Sequence, residues 1–257
     1  MNARKHIGFA ALLWVAVCTV SAVYNSACDQ PAAPAPAASA PSAEPEPEPA
    51  KPTLPPLHPV VSDPAVLTAG AELGKPAPDF TLTAVDGKTY KLSELKGKTV
   101  VLEWFNPDCP FVKYARGKGE LKTMAGKVMS DSLVWLSINS NAPGKEGNGL
   151  ERNKTAITEY GITNPVLLDE SGVVGKSYGA LKTPHLFIVG KDGTLIYRGG
   201  IDNAPIGTID ATRPRLPDSK EGELVNYVKA ALDDYNAARA LRLPDTPPYG
   251  CSVKYSS

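Results

Sequence analysis

Apolar runs alternate along this chain with segments of helical period, and together they sketch an order of strands and helices. Phe80-Thr81-Leu82 leads into Asp86-Gly87, a hairpin turn signal, and Thr89-Tyr90-Lys91-Leu92 returns beside it. Ser93 offers an N-cap for a short turn through Glu94 and Leu95 that ends at Gly97. Thr99 to Phe105 is almost wholly apolar, as expected of a strand covered on both faces. Leu133 to Ile138 is a second buried strand, Pro165 to Asp169 a shorter one, and His185 to Val189 a fourth. The turn Lys191-Asp192-Gly193 sends Thr194 to Arg198 back as its hairpin partner. Between the strands, the pattern predicts a helix from Cys109 towards Val128, weakened in its middle by Gly117 and Gly119. A helix from Arg152 to Tyr160 closes at Gly161, and a brief one covers Val173 to Tyr178. The last runs from Glu221 to Leu241, with Leu224, Val225, Val228, Ala231, Leu232 and Tyr235 on one face. This order predicts a mixed α/β sheet with helices on both sides, preceded by a β-hairpin.

The N-terminal quarter has another character. Arg4-Lys5-His6, an uncharged and mostly apolar stretch from Ile7 to Val23, and small residues at Ser26 and Ala27 before Cys28 have the layout of an export signal over residues 1–28. The small residues before Cys28 resemble a bacterial lipobox, which implies lipidation of Cys28 and a place in the cell envelope, on the periplasmic side of a membrane. Asn25 departs from that pattern, so a cleaved soluble form and an uncleaved single-span anchor stay open. Asp29 resembles an inner-membrane retention signal. Residues 29–65 are dominated by Pro, Ala and a Glu-Pro alternation and read as a semi-rigid spacer. Residues 66–257 are long enough for one domain with a sizeable core. Lys and Arg number 27 and so do Asp and Glu, a balance that argues against a nucleic-acid partner.

Of four cysteines, Cys18 lies in the signal and Cys28 is the lipidation candidate, leaving Cys109 and Cys251 for the folded part. Two cysteines in an exported domain most often pair. Here the bridge would close a loop of about 140 residues, worth about 4–5 kcal/mol in the chain-entropy model. Cys109 stands between an apolar strand and a predicted helix, with Pro110 suited to the first helical position. Helix-terminal N–H groups and the positive end of the macrodipole favour thiolate there, the form that attacks disulfides and peroxides. The plain alternative is a buried cysteine acting as a small hydrophobe.

Three pieces resemble the peroxiredoxin-like (redoxin) branch of the thioredoxin superfamily. They are Ala77-Pro78-Asp79-Phe80 with its hairpin and Leu92-Ser93-Glu94-Leu95-Lys96-Gly97-Lys98; Trp104-Phe105-Asn106-Pro107-Asp108-Cys109-Pro110; and Thr183-Pro184 before a strand, followed by Gly193 and Tyr197-Arg198-Gly199-Gly200. The resemblance covers Leu73 to Ser257 and implies a thioredoxin-like fold and thiol oxidoreductase activity with Cys109 as nucleophile. It implies a cis Pro184 facing Cys109, with the Thr183 backbone able to pair with an extended substrate and Trp104 and Pro110 beside the same groove. Glu103 falls where thioredoxins carry a buried acid, and a desolvated carboxylate suits proton transfer near neutral pH; an edge-exposed Glu paired with a lysine is the alternative.

Departures narrow these expectations. Val112 stands where a local Cys-x-x-Cys would need its second cysteine, and Asn106 and Glu103 replace the Thr or Ser and the Pro of the peroxidase pocket. Arg116 or Arg198 is available as a guanidinium for the departing oxygen, though each reads more simply as solvated surface. Cys251, in the stiff tail Pro247-Pro248-Tyr249-Gly250-Cys251, is expected to resolve what Cys109 forms. A purely structural Cys109–Cys251 disulfide on a redox-inert binding module is the rival. His185 with the two cysteines raises a weaker metal reading. The expected partners are protein disulfides or thiols, or a hydroperoxide, with an external thiol reductant and with the membrane through the N-terminal anchor; no cofactor is called for.

Overall fold

The computed structural model describes residues 70–256, so the export signal, Cys28 and the whole spacer lie outside the described residues. Seven strands form one mixed sheet in the order β2-β1-β5-β4-β3-β7-β8. They are β1 Thr81–Ala84, β2 Thr89–Lys91, β3 Thr99–Trp104, β4 Leu133–Asn139, β5 Val166–Leu168, β7 His185–Val189 and β8 Leu195–Gly199. Parallel pairing joins β3 to β4 and β4 to β5, while β7 lies antiparallel to β3 on its other side. The β1–β2 hairpin extends the sheet edge through antiparallel pairing of β1 with β5. Its turn is built as the Asp86-Gly87 signal requires: Gly87 takes φ +87° and the Lys88 N–H donates to Asp86 Oδ1 at 3.0 Å.

Alternation along β3 sends its side chains to two layers. Val100, Leu102 and Trp104 pack with Phe187, Val174 and Tyr178, while Val101 joins Trp135, Ile188, Ala115, Met124 and the helix that closes the chain's other face. The helices are α1 Pro110–Gly117, α2 Met124–Val128, α3 Leu150–Tyr160, α4 Val173–Tyr178 and α5 Tyr227–Asn236. Among the described residues, no helix is long and apolar enough to cross a membrane.

Two helices differ from expectation. The helix after Cys109 breaks at Gly117, resumes as a single 3-10 turn at Glu120–Lys122, and only then becomes α2. Gly119 permits the break, since a Cβ there would lie 2.9 Å from Ala115 Cα. The last helix starts six residues later than its apolar periodicity suggests. Asn226 caps it by accepting from the Lys229 N–H at 2.8 Å, while Val225 is tied back to Asn203, so residues 221–225 are held as a loop and Leu224 stays exposed. At the other end Ala238 turns to φ +51°.

A second, two-stranded sheet has no counterpart in the sequence pattern. Here β6, Lys182–Thr183, pairs antiparallel with β9, Cys251–Ser252, in the register Lys182↔Ser252 and Thr183↔Cys251. The C-terminal tail is thereby laid across the end of β3.

Candidate active site

Cys109 is the N-cap residue of α1, with Pro110 exposed at the first helical position. Its carbonyl accepts from the Lys113 N–H at 2.9 Å, and its own N–H donates to Asn106 O at 3.2 Å. The preceding loop is held by three groups distant in sequence. Tyr160 donates to Pro107 O at 2.8 Å, Arg152 pairs with Asp108 at 2.9 Å, and Gly147 packs so closely on Asn106 that a Cβ there would meet its Oδ1 at 2.0 Å. Sequence reasoning missed Arg152 and Tyr160 because nothing local links α3 to the cysteine loop. The helix N-terminus sets partial positive charge against the sulfur, which is 0% exposed and lies among Phe105, Val112 and Val166.

The Cys109 thiol donates to Thr183 O at 3.1 Å, and the Thr183–Pro184 bond is cis, as the resemblance implies. Directly opposite Thr183, Cys251 packs against the buried cluster that holds Cys109, so the two thiols are neighbours. Both are free thiols in this structure. Burial, and then the neighbouring Cys109, push the Cys251 pKa up to about 11. The structure thus brings Cys109, Cys251, Thr183 and Pro184 together, with the last two buried beneath the tail.

Other expected residues meet different surroundings. Glu103 is fully buried on β3, but not in apolar isolation: its Oε2 accepts from Trp135 Nε1 at 2.9 Å, from Ser137 at 3.0 Å and from the Arg116 guanidinium. Arg116 is therefore not a solvated surface residue. It is 4% exposed and answers the Glu103 charge, as a buried ion must be answered. Arg198 is engaged too, by Asp245 at 2.8 Å. Trp104 is corrected as a groove residue: it is fully buried, its indole donates to Ser140 at 3.0 Å, and its ring packs on Tyr178 and Phe187. His185 is equally committed. Its Nδ1 accepts from the Leu181 N–H at 3.3 Å, and burial, reinforced by Arg198, drives its pKa down to about 3. Among the described residues, no three His, Cys, Asp or Glu side chains gather to hold a metal ion. A cavity of about 310 Å³ lined by Ser93, Lys96, Lys98, Val100, Val189 and Asp192 lies at the start of β3 and the end of β7, the ends opposite the cysteines.

The Redoxin family model matches residues 72–210. The thiol-disulfide oxidoreductase ResA of Bacillus thuringiensis is 29% identical over 126 residues, 49% of this chain and 68% of that protein. Peroxiredoxin-1 of Gallus gallus is 33% identical over 166 residues, 55% of this chain and 76% of the relative. Among solved structures, an uncharacterized conserved protein from Geobacillus kaustophilus is 32% identical with a TM-score of 0.59, over 72% of this chain and 93% of that one. A hypothetical protein from Sinorhizobium meliloti is 28% identical with a TM-score of 0.59, over 73% of this chain and 97% of the other. With the Redoxin match spanning more than half of its length and its relatives named as thiol-disulfide oxidoreductases and peroxiredoxins, this chain belongs to the redoxin family of thioredoxin-like proteins.

Proposed function

We propose that this protein is an exported thiol oxidoreductase in which Cys109 is the nucleophile and Cys251 its resolving partner. The observation that carries the proposal is the register Thr183↔Cys251, which seats the distant cysteine opposite the residue whose carbonyl accepts from the Cys109 thiol and packs it against the Cys109 cluster at the N-terminus of α1. With a hydroperoxide, the Cys109 thiolate attacks the terminal oxygen, the O–O bond breaks, and an alcohol or water leaves as Cys109 becomes a sulfenic acid. The Cys251 sulfur then attacks the Cys109 sulfur and water departs, leaving a disulfide that external thiols reduce by exchange. With a disulfide substrate, Cys109 displaces one thiol and Cys251 the other.

Glu103 enters as the proton carrier. Its Oε2 is saturated, whereas Oε1 is buried without a partner and is the oxygen free to exchange a proton. Thr183 and Pro184 shape the substrate side, with Pro110 exposed at its margin. Export rests on the layout of residues 1–28, and tethering at the periplasmic side of a membrane on Cys28 and the proline-rich spacer.

The test is to reduce the protein, expose it separately to hydroperoxide and to a disulfide, and follow Cys109 by mass spectrometry with and without Cys251→Ser. A sulfenic acid or mixed disulfide that accumulates on Cys109 only in Cys251→Ser is the expected result. A Cys109 inert to both reagents would leave the protein a redox-inert binding module and sink the proposal.

A further inference from the structure

The tail that delivers Cys251 also fills the place where an extended substrate chain would bind. An exposed strand edge recruits polypeptide by backbone pairing. At β6 that edge is taken: Thr183 and Lys182 pair with Cys251 and Ser252, and the Val253 N–H donates to Leu181 O at 3.1 Å.

The tail is fastened on both sides of the cysteine. Before it, Tyr249 is buried, donates its hydroxyl to Asp202 at 2.9 Å, and lies under the Arg213 guanidinium at 4.8 Å. Gly250, at φ +113°, passes so close that a Cβ would fall 2.1 Å from Thr183 O. After it, Val253 is buried and the Lys254 backbone is held by the Asn141-Ala142 loop, its N–H donating to the Asn141 side-chain Oδ1 at 2.9 Å and its carbonyl accepting from the Ala142 N–H at 2.8 Å. Tyr255 then donates to Ala180 O at 2.8 Å, and its ring rests on two glycines. A Cβ at Gly172 would come within 2.6 Å of Tyr255 Cδ1, and one at Gly175 within 2.4 Å of its hydroxyl.

We infer that this C-terminal strap is a built-in occupant of the substrate edge and sets the substrate class. The folded protein accepts small oxidants, hydroperoxides and low-molecular-weight disulfides, at Cys109 and refuses polypeptide disulfides. The inference rests on the redox role of Cys109 proposed above. A small oxidant needs only the Cys251 side chain to turn aside, whereas a polypeptide needs β9 to leave and its anchors on one side to release together. Local opening of that kind costs more the more buried contacts it breaks.

The experiment uses the full chain carrying Cys251→Ser, which keeps the strap and lets the first adduct on Cys109 accumulate. Its rate is measured with hydrogen peroxide, with oxidised glutathione and with an unfolded polypeptide bearing one disulfide. The polypeptide should react about 100-fold more slowly than oxidised glutathione. Adding Val253→Ala and Tyr255→Ala should raise the polypeptide rate about tenfold or more while the small reagents change by less than about threefold. In case that variant folds poorly, urea below the unfolding transition applied to Cys251→Ser should show the same selective rise. Equal rates for polypeptide and glutathione disulfide with the strap intact, or no selective rise on loosening it, overturn the inference and leave the redox role standing. A Cys109 inert to all three reagents overturns both.

Discussion

Cys109 and Cys251 carry the same thiol in unlike settings. Cys109 is rooted at the junction of the central strand β3 and helix α1, completely buried, with its loop held by Tyr160 and Arg152. Cys251 rides on a two-residue strand at the end of the chain, partly exposed, and depends on neighbours at Tyr249, Val253 and Tyr255 for its position. One sulfur is placed by the architecture of the sheet and the other by a strap laid over it. In the proposed chemistry the rooted sulfur makes the first bond, and the strapped one closes the cycle.

Substitution separates the two most strongly. Cys109→Ser should abolish thiol turnover, a loss of about a thousandfold or more, whereas Cys251→Ser should leave the first oxidation step intact and stop the cycle at a single adduct. Stopped-flow kinetics with mass detection reads both, and equal effects of the two substitutions would erase the distinction. Next in size is the ion pair behind Cys109. Glu103→Ala leaves the Arg116 guanidinium buried and unanswered, and should lower unfolding free energy by about 3–5 kcal/mol in urea titration. Glu103→Gln keeps the shape and should cost less, and a shift in its pH–rate profile would sharpen the proton-carrying role.

The pH dependence of Cys251 tests how firmly the strap holds. With its pKa raised to about 11, its alkylation rate should climb about tenfold per pH unit from neutrality and level off only near that value. The raised value also means stability is fully present below the ordinary thiol pKa of about 9 and is lost as pH rises through about 11, because the unfolded thiol ionises first. A plateau near pH 9 would show the tail undocked. The smallest effect is expected from Tyr255→Phe, which keeps the ring on Gly172 and Gly175 but removes the bond to Ala180 O, costing about 1 kcal/mol in thermal or urea unfolding. A larger loss would mean that the hydroxyl, not the ring, carries the latch.

The central elements were legible because they are local. The apolar run at Thr99–Phe105, the Asp86-Gly87 turn and the Gly161 helix stop each state their conformation within a few residues, and each is found within a residue or two of its expected place. The last helix is shorter than its apolar period predicts, because Leu224 and Val225 continue a pattern that the pairing of Val225 with Asn203, a long-range contact, overrides. Trp104 sits beside Cys109 in the motif, yet strand alternation turns it into the core with Tyr178 and Phe187.

By itself, then, the amino-acid sequence determined the α/β order, the helix-junction position of Cys109 and the candidacy of Cys251 as the other cysteine of the folded part. Tertiary structure alone decided that Thr183 and Cys251 share a register, that Arg116 answers Glu103, and that Gly172 and Gly175 leave room for Tyr255. The physical reason is the same in each case. Propensity, caps and turn residues act over a few positions, whereas a β-bridge of 68 residues' separation, a buried ion pair and a glycine seat exist only once packing has brought distant segments to the same few cubic ångströms.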